Sequence, residues 1–365
     1  MRWLVACWVS GMMVAGLLSA TGPDEAWSQD EAEADAEVEE ERPPRQMDTH
    51  FFVGGTGEIA GLQTVVGTSQ THDVGQGETF LDIAREFDVG YNELVAANRS
   101  LDPWLPDPGA EVLLPTEWIL PRGDFEGLVL NIPEMRLYYY VPSPRAGGRS
   151  SMVVTYPVGL GRQDWQTPRG QFRIRGKTRN PAWVIPESIK AERIRDYGTT
   201  ENVVAGGHPE NPLGKHRIEL TLPSYAIHGT NKNWGIGMQV SHGCVRMYPE
   251  DIAAFFPMVQ IGSVGSFVYQ PVKIGVRRGR VMIEVHEDIY GVVPWPWLLA
   301  QEMIEDAGLQ RYVDEKRLEA ALQAASGVPT DISFVAWPAY EDENEIEFDE
   351  NGDPIEPYPT SAQAD

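Results

Sequence analysis

A mixed, mainly β fold is what this 365-residue chain predicts: a β-sandwich-like domain, preceded by a small βααβ unit and followed by a small α/β appendage. Three observations predict it. Between Gly127 and Pro271, short runs of β-branched and aromatic residues alternate with turn residues, as in a sandwich or small barrel. Ahead of them, Phe80, Ile83, Ala84 and Phe87 recur at helical spacing between two strand-like runs. Behind them, a strand pair at 272–276 and 280–286 leads into an amphipathic helical stretch from Trp297 to Ala325.

Taken in order, the chain opens with Met1-Arg2-Trp3, then an apolar run from Leu4 to Ala20 and the turn-like Thr21-Gly22-Pro23. This is a secretory signal pattern, with cleavage after Ser28 or after Ala20, and residues 1–28 are assigned to it. The apolar run of 17 residues is marginal for a membrane span, so an uncleaved anchor is the alternative. Residues 29–69 read as an acidic and then Gly-rich linker. Residues 70–116 form the small unit: the strand His72-Asp73-Val74, a Gly75–Thr79 turn offering Glu78 or Thr79 as helix cap, and a helix from Phe80. A second helix follows over Tyr91–Asn98, and the strand Glu111–Leu114 closes the unit.

The β domain spans 124–271. Gly127–Ile132 and Met135–Val141 are expected to pair as a hairpin around Asn131-Ile132-Pro133-Glu134, followed by strands at 151–158, 171–175 and 265–269. One helix is expected, from Pro249 to Phe256, with Glu250 and Asp251 in the first turn where the helix dipole favours them. Residues 272–340 make the appendage, and 341–365 an acidic disordered tail.

Charge is uneven. Of the net −25, residues 29–44 supply −7 and residues 341–365 supply −10, which leaves −8 for everything between. Both stretches have the composition of disordered, solvated segments. No basic stripe is apparent along the sequence, so nucleic acid is not expected as a partner.

There are two cysteines, and Cys7 falls inside the signal segment, so Cys244 stands alone in the remainder. It lies in Ser241-His242-Gly243-Cys244-Val245-Arg246-Met247, sixteen residues beyond His228 of Tyr225-Ala226-Ile227-His228-Gly229-Thr230-Asn231. A lone cysteine is most often a small buried hydrophobe. Here a cysteine nucleophile, a base within reach and a group to orient that base are all available. His228 follows a strand-like run, and Gly229 allows a backbone bend that brings a carbonyl to the imidazole. Gly243 lets nearby amides approach a substrate carbonyl, and Arg246 suits a substrate carboxylate. If His228 holds Cys244 as a thiolate, activity should fall between pH 8 and pH 5. Zinc is the competing chemistry, but His228, His242 and Cys244 fall short of a four-ligand structural site. His242 could equally stabilise its loop, and Arg246 could pair internally. No metal and no cofactor is expected.

His-Gly-Thr-Asn followed by Ser-His-Gly-Cys-Val-Arg-Met resembles the YkuD-type L,D-transpeptidases. The likeness extends to Gly159-Leu160-Gly161, Thr167-Pro168, Gly170 and Asn211-Pro212-Leu213-Gly214. The βααβ unit resembles a LysM domain through Gly77-Glu78-Thr79, Ile83-Ala84, Ala97-Asn98 and Leu113-Leu114-Pro115. LysM followed by the catalytic domain is the order of a Gram-negative periplasmic branch, which implies a periplasmic location. The resemblance implies Cys244 as nucleophile, His228 as general base and Gly229 as the carbonyl that orients it. It implies a substrate site lined by Arg246, His242, Gly243 and Tyr225. The implied reaction is acyl transfer from a peptidoglycan tetrapeptide stem, with loss of D-alanine, to an amine. That amine belongs to another stem, an outer-membrane lipoprotein, an outer-membrane protein or a free D-amino acid. Two other functions fit the same residues: a cell-wall thiol hydrolase, and a non-catalytic peptidoglycan-binding scaffold.

Overall fold

The site-bearing sheet is assembled from strands far apart in sequence, and its order shows how. In a computed structural model, the described residues are 50–52, 63–123, 126–142, 152–198, 201–277 and 279–334, all within the unit Arg45–Asp365. The signal segment, the acidic stretch at 29–44 and the acidic tail lie outside them. In chain order the strands are β1 (His50–Phe52), β2 (Gln63–Gly67), β3 (Gln70–Asp73), β4 (Glu111–Leu114), β5 (Glu117–Ile119), β6 (Gly127–Asn131), β7 (Arg136–Val141), β8 (Met152–Pro157), β9 (Leu160–Gly161) and β10 (Gly170–Arg179). They continue with β11 (Trp183–Val184), β12 (Val203–Val204), β13 (His216–Leu220), β14 (Ala226–His228), β15 (Gln239–Ser241), β16 (Val245–Arg246), β17 (Val264–Val268), β18 (Val272–Arg277), β19 (Arg280–Val285) and β20 (Thr330–Asp331). The helices are α1 (Phe80–Glu86), α2 (Tyr91–Ala97), α3 (Glu187–Tyr197), α4 (Pro249–Met258), α5 (Pro296–Asp306) and α6 (Glu315–Ala324).

Nine described strands form one sheet in the order β1-β8-β7-β6-β17-β10-β13-β14-β16. β10 serves both halves: Gly170–Arg173 pairs with β17, and Ile174–Arg179 pairs with β13. A bulge between Ile174 and Gly176 marks the changeover, the usual device by which a strand passes from one layer to the other. Both halves feed one core. Leu128, Leu137, Tyr139 and Tyr156 from the first half join Phe172, Ile218, Leu220 and Ile227 from the second, with Ile252 and Phe255 of α4 among them. The opposite face of β6–β8 is also buried: Tyr138, Tyr140, Val129 and Val153 pack on Val66, Trp118 and Leu120. This explains the unbroken Leu-Tyr-Tyr-Tyr run, because a strand covered on both faces needs no polar alternation.

The small unit folds as expected from its periodicity. β3 and β4 pair antiparallel around Phe80, Ile83, Leu94 and Val112. Thr79, rather than Glu78, caps α1: the Asp82 N–H donates to Thr79 Oγ1 at 3.4 Å while the Thr79 N–H donates to Asp82 Oδ2 at 2.8 Å. Glu78 instead accepts from the Gly75 N–H at 2.7 Å. The unit is locked to the large sheet. Arg136, fully buried on β7, reaches Glu93 of α2 at 2.8 Å, and its guanidinium lies 4.2 Å from the Trp118 ring. The Trp118 indole N–H donates to the other oxygen of Glu93 at 2.7 Å. Beyond this, Arg85 bonds Glu250 of α4 at 3.0 Å, and the Asn92 N–H donates to the Gly237 carbonyl at 3.2 Å.

Two readings of the sequence change. The stretch taken as linker up to residue 69 contributes two strands: β1 pairs with β8, and β2 lies between β18 and β5 in a second sheet. Only partners distant in sequence reveal them as strands. The appendage is therefore not built from C-terminal residues alone, since its five-strand sheet β20-β19-β18-β2-β5 takes two strands from before the β domain. The helical stretch from Trp297 to Ala325 is two helices, broken near Gly308 and restarted by Asp314, which accepts from the Lys316 N–H at 2.9 Å.

Where the appendage meets the hairpin turn, Glu134, Glu284 and His286 bring three ligand atoms within 4.8 Å of one another. Lys273 supplies the positive charge there, 2.9 Å from Glu134 and 2.7 Å from Glu284. We read the cluster as a buried ion-pair network. Among the described residues, no helix is long and apolar enough to cross a membrane.

Candidate active site

His228 and Cys244 come together because β14 and β16 are parallel neighbours. Ile227 is in register with Val245 and His228 with Arg246, so Cys244 sits just before the strand, alongside Ala226. On the other side of β14, Arg217 of β13 is paired directly with His228. In both pairings residues opposite one another share a face, so Arg217, His228 and Arg246 form one cross-strand row.

The imidazole is buried, 4% exposed. Its Nδ1 lies 2.6 Å from the Gly229 carbonyl oxygen. A carbonyl only accepts, so Nδ1 carries the proton and Nε2 keeps its lone pair. The Cys244 thiol donates to the Ser224 carbonyl at 3.6 Å. Burial pushes the Cys244 thiol up, opposed by a backbone hydrogen bond from Ala226 and by the charges of Arg217 and Arg246. Burial lowers His228 to about 3; Arg246 and Arg217 add to the shift, and the Gly229 hydrogen bond opposes it. Both groups are therefore neutral at rest, a thiol and an imidazole.

The direction of this shift runs against the acid-sensitivity expected from the sequence. A histidine held near 3 is already a free base at pH 5, so acylation of Cys244 is expected to keep a level kcat/KM from pH 5 to pH 8. Stopped-flow acylation by a reactive acyl donor across this range checks it. A limb with an apparent pKa of 6 to 7 would show that the imidazole titrates near its ordinary value.

The turn carrying Cys244 is closed from within. Ser241 Oγ donates to the Cys244 carbonyl at 2.6 Å and accepts the Gly243 N–H at 3.1 Å. Of the amides near Cys244 expected to approach a substrate carbonyl, that of Gly243 is thus committed to Ser241. Gly243 has φ +100°, and a Cβ there would lie 2.7 Å from Tyr225 Cε1, so glycine is required by both conformation and space. Thr167 Oγ1 donates to the Gly243 carbonyl at 2.9 Å and accepts the Gly161 N–H at 3.1 Å. Tyr290, from beyond the β domain, donates to the Gly161 carbonyl at 2.6 Å. Gly159 and Arg246 exchange backbone hydrogen bonds, both at 2.9 Å. Gly159-Leu160-Gly161 and Thr167 therefore buttress the turn.

His242 points into a second cluster. Its Nε2 donates to Glu192 of α3 at 2.7 Å, Arg162 donates to the same carboxylate at 3.2 Å, and the Trp165 ring stands edge-on to the imidazole at 5.2 Å. The His242 hydrogen bond draws Glu192 below the usual carboxylate range. Tyr225 is half-buried against Gly243. Arg246 is half-buried, and burial lowers its pKa against the opposing influence of Cys244.

Register sets Cys244, His228 and Arg246 along one face of β14 and β16, while the His242 ring turns away to Glu192. Sequence reasoning missed Arg217, Glu192, Arg162, Trp165 and Tyr290, and gave Ser241 no role within its motif. For Glu192 a signal existed: Pro186 before Glu187 and Gly198 after Tyr197, with φ +67°, bracket a helix. For Arg217 none existed, since only strand register places it opposite His228.

Residues 126–274 match the model of the YkuD L,D-transpeptidase catalytic domain. Over 281 residues the chain is 32% identical to YcfS of Escherichia coli, described as a probable L,D-transpeptidase, covering 73% of this chain and 85% of YcfS. Over 282 residues it is 33% identical to Escherichia coli ErfK/SrfK, similarly described, covering 74% of this chain and 86% of that protein. Among solved structures, an L,D-transpeptidase from Mycobacterium smegmatis aligns at 18% identity and a TM-score of 0.30, covering 62% of this chain and all of that one. The chain belongs to the YkuD L,D-transpeptidase family.

Proposed function

We propose that the protein is a peptidoglycan L,D-transpeptidase using Cys244 as nucleophile and His228 as general base. The observation that carries this reading is the cross-strand arrangement. Cys244 immediately precedes the strand parallel to that of His228, whose Nδ1 is bound by the Gly229 carbonyl, leaving Nε2 as the acceptor. In the forward half-reaction Nε2 takes the thiol proton as Sγ attacks the carbonyl between the third residue of a stem and its terminal D-alanine. The C–N bond breaks, the proton passes to the departing D-alanine amine, and a thioester remains. An acceptor amine then attacks, His228 takes its proton, and the thiol is regenerated. No cofactor is required, because the thioester conserves the energy of the cleaved amide.

The acceptor amine would come from another stem, an outer-membrane lipoprotein, an outer-membrane protein or a free D-amino acid. The βααβ unit would act as a LysM module that binds the glycan and raises the local stem concentration, with the whole protein in the periplasm. Because the Arg136–Glu93 pair is buried, the module would present glycan at a fixed offset from Cys244 rather than on a flexible tether.

The test is incubation of purified protein with disaccharide-tetrapeptide, with products followed by mass. The expected product is a dimer lacking one alanine. Tripeptide alone would identify a thiol hydrolase, and no turnover would leave the scaffold reading.

A further inference from the structure

We propose that Arg217 is a specificity-determining residue that binds the side-chain carboxylate of the acyl donor's third residue, so that the enzyme selects stems in which this carboxylate is free. This rests on the transpeptidase reading and deepens it.

Arg217 is placed by register: it is opposite His228 on β13, on the face that carries Arg246 on the far side of the imidazole. Two arginines therefore flank His228, their backbones separated by two strand spacings, on the order of 10 Å. The charges of both bear on Cys244 as well as on His228. Where the third residue is diaminopimelate, as the family resemblance implies, a donor at the scissile bond offers two carboxylates: the terminus of the departing D-amino acid and the side-chain carboxylate of that third residue. Arg246 is the enclosed member of the pair, its Nε buried with no hydrogen-bond partner. A small chain terminus suits that position. Arg217 is about one-third exposed, 32%, so its guanidinium is reachable from solvent.

Glu219 orients Arg217 rather than consuming it. Its carboxylate accepts from Arg217 Nη1 at 2.5 Å and from Arg175 at 3.1 Å, so one acid is shared between two guanidinium groups. A guanidinium has five N–H donors, and the Glu219 bond engages one nitrogen. A partly exposed pair of this kind contributes little to stability, so stability does not account for an arginine at this register.

The test uses paired tetrapeptide donors that differ only in the third side chain, free acid against carboxamide. The readout is kcat/KM for release of D-alanine. Wild type is expected to favour the acid on the order of 10- to 100-fold, the range of a charge-assisted hydrogen bond. Arg217→Gln should bring the acid-to-amide ratio near 1, and Arg217→Lys should restore part of the preference. Because the ratio is internal to each variant, a partly unfolded preparation does not alter it. Turnover by wild type without discrimination, or an unchanged ratio in Arg217→Gln, overturns the assignment while the transpeptidase reading stands. No turnover of either donor by wild type overturns both.

Discussion

Cys244→Ala is expected to abolish acyl transfer, while His228→Gln lowers kcat on the order of 10²- to 10⁴-fold and leaves the fold intact. The asymmetry follows from the chemistry. Removing Sγ removes the atom proposed to become acylated, and no other cysteine lies among the described residues. Removing the imidazole takes away general-base assistance but leaves a thiol that ionises slowly to attack. Because burial holds that thiol above its ordinary range, little thiolate is present at neutral pH, and the loss in His228→Gln should ease as pH rises. Intact mass after exposure to a carbapenem separates the variants: wild type gains one covalent adduct, His228→Gln gains it slowly, and Cys244→Ala gains none. An adduct that persists in Cys244→Ala would place the reactive group elsewhere.

Arg136→Ala should cost about 3–5 kcal/mol of stability, because it strands the Glu93 carboxylate in an interior where its partner was fully buried. Against a typical total of about 5–15 kcal/mol that is a large fraction. For a domain of this size it corresponds to a fall in Tm of roughly 10 °C. The cation also lies over Trp118, whose indole shares Glu93, so the loss reaches the junction between the small unit and the sheet. Arg136→Met combined with Glu93→Gln should lose less than Arg136→Ala, since no charge is left unpaired. Scanning calorimetry measures both. A single-variant shift under about 2 °C would show that water reaches the pair and that the unit is not locked.

Legibility from sequence tracked how local each cause is. The α1 cap at Glu78 or Thr79, the hairpin around Ile132–Met135 and the α4 start at Pro249 were readable because each is set within a few residues. Strands β1 and β2 were read as linker because nothing local distinguishes them. Their partners, β8 and β18, lie about 100 and 200 residues away. At the site, the two motif stretches were evident as residue types, but the bond from Glu192 to His242 spans 50 positions, and that from Tyr290 to Gly161 spans 129.

By itself the sequence determined the family, the mainly β character and the two stretches that meet at the site, since these depend on residue identity and short spacing. Only the tertiary structure decided the electrostatic state of that meeting. Register put Arg217 and Arg246 on either side of His228, and burial then disfavoured both the imidazolium and the thiolate. Charge state in a folded protein is set by what surrounds a group in space, and desolvation is a property of the enclosure, which no run of neighbouring residues encodes.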